Sequence, residues 1–314
     1  MIHDVIIIGA GPAGLTAAIY ASRARLKTLL LESYDTPGQA VITSGVENYP
    51  GFPEGLNGFE LIDKFRKQAE KFGAEFKIAN VKSVKKSKSG KDTLWQTEAG
   101  DESMMSLSVI IASGAKPNKL GIPGEDKFRG KGVSYCATCD GALFKEKNIV
   151  AIGGGDTAIE EALFLTRFAK KVTVIHRRDR LRATEILQER AFANKKIEFM
   201  WNSTAEEILG KDKTEVIRIK DVKKNKESKI DCDGVFIFAG YTPNTDFLKG
   251  LLKLDKKGYI ISDDDMKTGE AGIFVAGDAR KKLLRQVVTA AGDGATAAFS
   301  AKKYVDELRG KAYK

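Results

Sequence analysis

Apolar residues in this chain come in short runs that recur in a fixed order. DVIII, ending at Ile8, gives way to the turn GAGPAG from Gly9; an Ala- and Leu-rich stretch follows, and a second run, TLLLE, ends at Glu32. The order returns in NIVAI, the turn GGGDTA from Gly153, the stretch IEEALFLTRF and the run VTVIH ending at the residue before Arg177. Short apolar runs bounded by glycine suit strands buried on both faces of a parallel sheet, and the stretches between them have helical periodicity. The pattern predicts strand, turn, helix, strand, twice over.

Between and after these units the pattern is less repetitive. Pro37 to Gly55 is rich in Gly and Pro and reads as a long loop, followed by a helical segment at Gly58 to Phe72. Strand-like alternation leads to SVIIASGAKPN, Ser108 to Asn118, and GVFIFAGYTPN, Gly234 to Asn244, ends the same way. The tail holds one apolar run ending at Asp278 and one helical pattern from about Arg285 to Val305, with Ala and Gly crowding its first turns. Small residues there would let a helix N-terminus lie against a ligand. One strand and one helix cannot make a domain, so the tail is expected to complete the first. The fold class is α/β: two Rossmann-like dinucleotide-binding domains, the second (117–244) inserted into the first (1–116 and 245–314).

The turns say what such domains hold. Gly9 and Gly153 allow the tight bend, Gly11 and Gly155 let backbone amides reach a pyrophosphate, and Gly14 and Ala158 keep the helix close to the strand. Pro12 and Ala13, and Asp156 and Thr157, open the two helices, whose free N–H groups face the phosphates. Glu32, at the end of the first second run, suits ribose hydroxyls and repels a 2′-phosphate. At the equivalent place stand His176, Arg177, Arg178 and, a little later, Arg182. Guanidinium groups match phosphate geometry, so the first site is expected to take FAD and the second NADPH.

The 314 residues are 42% hydrophobic, enough for two cores. No apolar run approaches a membrane span, and the chain enters its first strand without a leader-like segment, so a cytoplasmic protein without membrane attachment is expected. The net charge of +10 comes largely from lysines in segments such as VKSVKKSKSGKD and KDVKKNKESK. These lack interleaved aromatics and read as solvated hairpins and loops rather than a nucleic-acid surface.

Only three cysteines occur, too few for a secreted disulfide framework. Two form SYCATCDG, Cys136 and Cys139, with Asp140 next. A zinc half-site, a structural pair and a redox disulfide are all compatible with that spacing alone. Zinc needs four ligands, and no second CxxC or nearby histidine is present.

Together, GAGPAG, VENYPG, CATCD, GGGDTA, HRRDRLR and AGDAR through RQVVTAAGDG occur in the order found in low-molecular-weight thioredoxin reductases, and the chain resembles that family over nearly its whole length. The resemblance implies that NADPH reduces FAD, FAD reduces the Cys136–Cys139 disulfide, and the dithiol reduces thioredoxin. It implies Cys139 as the thiol facing the flavin, Cys136 as the one attacking thioredoxin, and Asp140 as the acid or base for the thiol proton. It adds Gln39, Asn48, Asp278, Arg285 and Gln286 to the FAD residues, and it implies a homodimer. Relatives carry paired aromatics after CATCDG and an arginine before it, for docking thioredoxin; here Ala142, Leu143 and Lys131 stand instead. Cys232 has no partner in sequence and is expected in a strand. Service to another thioredoxin-like or peroxide-reducing partner is the alternative. Because the NADPH motif and CATC share one domain and the flavin the other, two arrangements related by rotation of the inserted domain are expected. Its hinges would lie near Lys116–Leu120 and Tyr241–Thr245.

Overall fold

The computed structural model describes residues 2–33, 38–41, 46, 48–89, 92–135 and 137–311. The chain forms two compact units, Met1–Lys116 with Thr242–Lys314, and Pro117–Tyr241. The second crossing falls earlier than Asn244, where the sequence pattern puts it, because Asn244 is tied into the first unit. Its backbone N–H donates to the Gly114 carbonyl and its side chain to that of Ser113, whose hydroxyl donates back at 2.7 Å. The α-helices among the described residues are α1 (Pro12–Arg23), α2 (Gly58–Lys71), α3 (Ala137–Asp140), α4 (Asp156–Leu165), α5 (Glu185–Ala193) and α6 (Val287–Leu308).

In the first unit the strands Glu75–Ile78, Thr28–Glu32, Ile2–Ile8 and Glu102–Ile111 run parallel, in that order. Glu102–Ile111 then has two partners. Its first half pairs antiparallel with Asp92–Ala99, which continues to Val81–Ser89; its end pairs in parallel with Ile273–Val275 from the tail. Val5 and Ile7 point into a core shared with α1, α2 and α6, while Ile6 and Ile8 enter a second core with Trp95 and Ile260. That two-residue alternation makes the run apolar throughout: both faces are covered.

The second unit repeats the scheme. Ile197–Met200, Lys171–Ile175, Asn148–Ile152, Gly234–Ile237 and Val133–Ser134 form a parallel sheet. Ser203–Leu209, Val216–Asp221 and Lys226–Asp231 form an antiparallel ribbon that leads into Gly234–Ile237. In both units the strand before the glycine turn therefore lies between its sequential successor and a strand reached through a ribbon, so the turn opens where strand order reverses. Lys82, Lys85 and Lys86 of one lysine-rich segment and Lys223, Lys224 and Lys226 of the other lie in these ribbons with their side chains in water.

The small residues of α6 have a task that the sequence pattern does not reveal. A Cβ on Gly294 would lie 2.1 Å from the Ala13 carbonyl oxygen, so α6 and α1 touch backbone to backbone. Ala17, Ala21, Ala290, Ala297 and Ala298 fill the same contact. Gln286 and Thr289 close a capping box at its N-terminus.

Candidate functional sites

In the first unit the turn after Ile2–Ile8 is built for close approach. Gly9 has φ of +112°, and a Cβ there would lie 2.3 Å from the Ala112 carbonyl oxygen, just past the neighbouring strand. A Cβ on Gly14 would meet the Gly9 carbonyl oxygen at 1.8 Å. At Gly11 a Cβ would meet nothing within 4 Å, so the space before α1 is open. Gly11 is the N-cap, Pro12 follows, and no side chain caps the helix, leaving first-turn amides for an anion.

Around this turn the structure gathers residues distant in sequence. Both Nη atoms of Arg66, from α2, donate to Glu32 Oε2 at 2.9 Å. Asn48 Nδ2 donates to Gln286 Oε1 at 3.1 Å. Gln39 lies in a partly buried turn. Asp278 follows the tail strand; its Oδ1 is buried without a hydrogen-bond partner, and burial raises its carboxyl above the usual range while Lys282 and Arg285 oppose that shift. The Arg285 guanidinium rests 4.1 Å from the Tyr259 ring centroid, and its Nε is also buried and unpartnered. Asp293 of α6 fixes the Asp278 turn: it accepts from the Gly277 N–H at 3.0 Å and pairs with Arg280 at 3.2 Å and Lys282 at 2.6 Å. Sequence reasoning missed Arg66, Tyr259 and Asp293, because each acts through a partner far away in the chain.

The second unit reproduces the turn. Gly153 has φ of +153°, and a Cβ there would lie 2.7 Å from the Phe238 carbonyl oxygen, the counterpart of Ala112. Gly155 is the uncapped N-cap of α4. The following basic loop is tied to the turn: the Arg182 N–H donates to the Gly154 carbonyl at 2.6 Å, and the Thr184 N–H to Asp156 Oδ1 at 2.6 Å. A cleft of about 170 Å³ opens there, lined by Gly155, Asp156, Thr157, Ala158, Arg182 and Tyr241 among others. Arg177, Arg178 and Arg182 are exposed, but His176 is not. Its ring lies under the turn, 2.4 Å from where a Gly154 Cβ would be, and bonds the Arg180 backbone. Burial, aided by the three arginines, keeps its pKa below the usual value, so it is neutral at physiological pH. The structure thus separates His176, a buried support, from the three cations grouped with it in the sequence.

The cysteine motif lies in the same unit. Cys136 and the side chain of Cys139 lie outside the described residues; the backbone of Cys139 is in α3, which packs on α4, and Asp140 ends α3 half-buried. Just before Cys136, the Tyr135 hydroxyl donates to Glu125 Oε1 at 2.6 Å. Glu125 is 2% exposed and also accepts from the N–H groups of Leu120 and Gly121, so one carboxylate anchors the first crossing segment to the approach to the cysteines. Leu143 is 74% exposed. Cys232 follows its strand rather than lying within it; its buried thiol is pushed up to about 12, chiefly by desolvation, which makes it chemically inert. No cluster of metal-binding side chains occurs among the described residues.

Comparison with known proteins gives a consistent result. The family described as pyridine nucleotide-disulphide oxidoreductase matches residues 3–294. Thioredoxin reductase from Bacillus subtilis is 50% identical over 309 residues, covering 98% of this chain and 96% of the relative. Its counterpart from Listeria innocua is 49% identical, with 98% and 95% covered. The crystal structure of Lactococcus lactis thioredoxin reductase in its FR conformation superposes with a TM-score of 0.92 at 46% identity, covering 98% of this chain and 100% of that one. Thioredoxin reductase from T. acidophilum gives 0.89 at 35% identity, with 98% and 99% covered.

Proposed function

The chain belongs to the pyridine nucleotide-disulphide oxidoreductases, among the low-molecular-weight thioredoxin reductases, and from that membership we propose that it passes electrons from NADPH through FAD and a Cys136–Cys139 disulfide to thioredoxin. The observation that carries this reading is the duplicated turn, followed by an acid in one unit and by arginines in the other, with the CxxC helix packed on the arginine-bearing unit's own dinucleotide helix.

The residues present fit both groups. Asp278 Oδ1 and Arg285 Nε are buried polar atoms without partners, and such atoms are rare unless a ligand completes them. The open space at Gly11 and the uncapped start of α1 suit a pyrophosphate. Gly9, Pro12, Ala13 and Gly14 shape that turn; Glu32, fixed by Arg66, accepts from ribose; Gln39, Asn48, Asp278, Arg285 and Gln286 complete the FAD residues. Gly153, Gly155, Asp156 and Thr157 form the NADPH phosphate turn. Arg177, Arg178 and Arg182 hold the 2′-phosphate, with His176 as the floor beneath them.

When bound, FAD accepts two electrons from NADPH and delivers them to a disulfide. Within the protein, the charged Glu32 repels a 2′-phosphate from the first site while the arginines attract one to the second, so the two nucleotides sort by charge. Cys139 receives the electrons; Cys136, as thiolate, attacks the thioredoxin disulfide, releasing one thioredoxin thiolate and forming a mixed disulfide, and Cys139 then attacks Cys136, releasing the second thiolate and restoring the Cys136–Cys139 disulfide. Asp140 moves the proton at the Cys139 sulfur. Family membership also supports a homodimer working in the cytoplasm; no helix among the described residues is long and apolar enough to cross a membrane.

The test is Cys139→Ser. The purified variant is expected to stay yellow and be bleached by NADPH, yet lose thioredoxin reduction. Thioredoxin turnover at the wild-type rate would remove Cys136–Cys139 from the electron path.

A further inference from the structure

The cleft of the second unit has one wall that the dinucleotide motifs do not include. Val133–Ser134 is the last strand of the parallel sheet, next to Gly234–Ile237 and two places from Asn148–Ile152. Ser134 is level with Phe236, and Ile237 with Ile152, so Tyr135 leaves the sheet beside the last residue before the Gly153 turn. The three strands run parallel and end on the same side, where ligands bind in sheets of this kind. The cleft is lined accordingly by Tyr135, by Ile237 and Phe238, and by the turn and helix start from Gly155 to Ala158, with Arg182. The loop of Arg177 and Arg178 lies the other way: it follows Lys171–Ile175, which pairs with the opposite edge of Asn148–Ile152. The phosphate turn therefore has the arginine strand on one side and Tyr135 on the other. Neighbouring strands stand ~4.8 Å apart, which puts the Tyr135 strand ~10 Å from the strand of the turn, a gap that one nucleotide bridges.

The ring is held from its far end. The Tyr135 hydroxyl donates to Glu125 Oε1 at 2.6 Å. The buried Glu125 carboxylate also accepts from the N–H groups of Leu120, Gly121 and Ile122 at 2.9, 2.6 and 3.3 Å, which fix its own position. The Arg129 guanidinium lies 5.6 Å from the ring centroid. Burial, and then the Glu125 hydrogen bond, keep the phenol well above its usual pKa, so it remains a donor throughout the physiological range. A half-buried ring fixed by the strand at one end and by Glu125 at the other loses little freedom when it meets a ligand. We propose that Tyr135, pinned by Glu125, binds the nicotinamide half of NADPH, on the opposite side of the phosphate turn from the arginines that take the phosphorylated adenosine half. The proposal rests on the reading of this cleft as the NADPH site. Tyr135 adds grip without choosing between NADPH and NADH, because the two share the half it touches.

The experiment is isothermal titration calorimetry of the FAD-bound protein with two probes that transfer no electrons. One is NADP+. The other is adenosine 2′,5′-bisphosphate, which keeps the 2′-phosphate and lacks the nicotinamide half. Tyr135→Ala is expected to weaken NADP+ binding by roughly 3–10-fold, the range of one aromatic contact, and to leave the bisphosphate unmoved. Unmoved bisphosphate binding also shows that the variant's second unit is folded. Tyr135→Phe, which keeps the ring and drops the pin, should lose part or all of the same factor for NADP+ and none for the bisphosphate. Tyr135→Ala binding NADP+ like the wild type would overturn the proposal. So would equal weakening of both probes, which reduces Tyr135 to a prop for the fold, and so would a Tyr135→Phe protein that matches the wild type, which removes the Glu125 pin. Neither probe depends on turnover. Wild-type protein that binds neither strikes the NADPH reading and this role with it, whereas normal wild-type binding beside unmoved variants strikes Tyr135 alone.

Discussion

At the scale of single residues, the sharpest expectation concerns nucleotide choice. Arg177 and Arg178 are exposed and free to meet a phosphate, and charge-assisted hydrogen bonds contribute ~1.5–3 kcal/mol each. Replacing both with alanine is expected to lower kcat/KM for NADPH by roughly 10–1,000-fold, the range reflecting non-additivity, with NADH nearly unaffected. Steady-state kinetics with both nucleotides checks it; equal losses would refute the 2′-phosphate assignment. His176→Ala should behave differently, harming both nucleotides by removing the floor under Gly154. The arginines were legible because exposed charge at a fixed place in a repeated pattern has one obvious use. His176 and Asp293 were not, since a buried polar residue is defined by what surrounds it. Asp293 meets Arg280 and Lys282 only after α6 docks.

At the scale of elements, the α1–α6 contact allows a paired test within one helix. Alanine in place of glycine in a helix gains about 1 kcal/mol from propensity. At Gly292, where a Cβ meets nothing within 4 Å, that gain should appear as a small rise in melting temperature. At Gly294 the same change drives a Cβ to 2.1 Å from the Ala13 carbonyl oxygen, and overpacking costs typically ~1–3 kcal/mol. The clash wins, so Gly294→Ala is expected to lower the melting temperature by several degrees and loosen FAD, while Gly292→Ala does neither. Differential scanning calorimetry of the two FAD-bound variants decides, and a stabilised Gly294→Ala would contradict the backbone contact. Strands and helices themselves were well marked in the sequence, because burial on both faces leaves continuous apolar runs. The packing of α6 on α1 was not legible: glycine at a helix start serves a ligand or a neighbouring helix equally well, and at Gly294 only the fold shows the neighbour.

At the scale of the whole molecule, the proposed function calls for motion between units that the chain joins twice. The cysteines and the proposed NADPH turn share the unit Pro117–Tyr241, and the proposed FAD residues belong to the other, so on that reading hydride delivery and disulfide reduction compete for one flavin. An engineered disulfide that locks the units together is expected to abolish steady-state thioredoxin reduction, and dithiothreitol to restore it. Full activity in a completely locked protein would refute the alternation. The two-unit division was readable from the repeat, though the exact second crossing depended on the hydrogen bonds of Asn244. The split of the first unit also governs the order of synthesis. Its opening segment lacks both the Ile273–Val275 strand and α6 until the whole inserted unit has been made. At ~5–20 residues per second, α1 waits roughly 15–55 s with its alanine face uncovered, while the inserted unit is completed and can fold. On the proposed reading, the unit that would hold both ends of the electron path can thus fold before the unit between them, the flavin's, is complete.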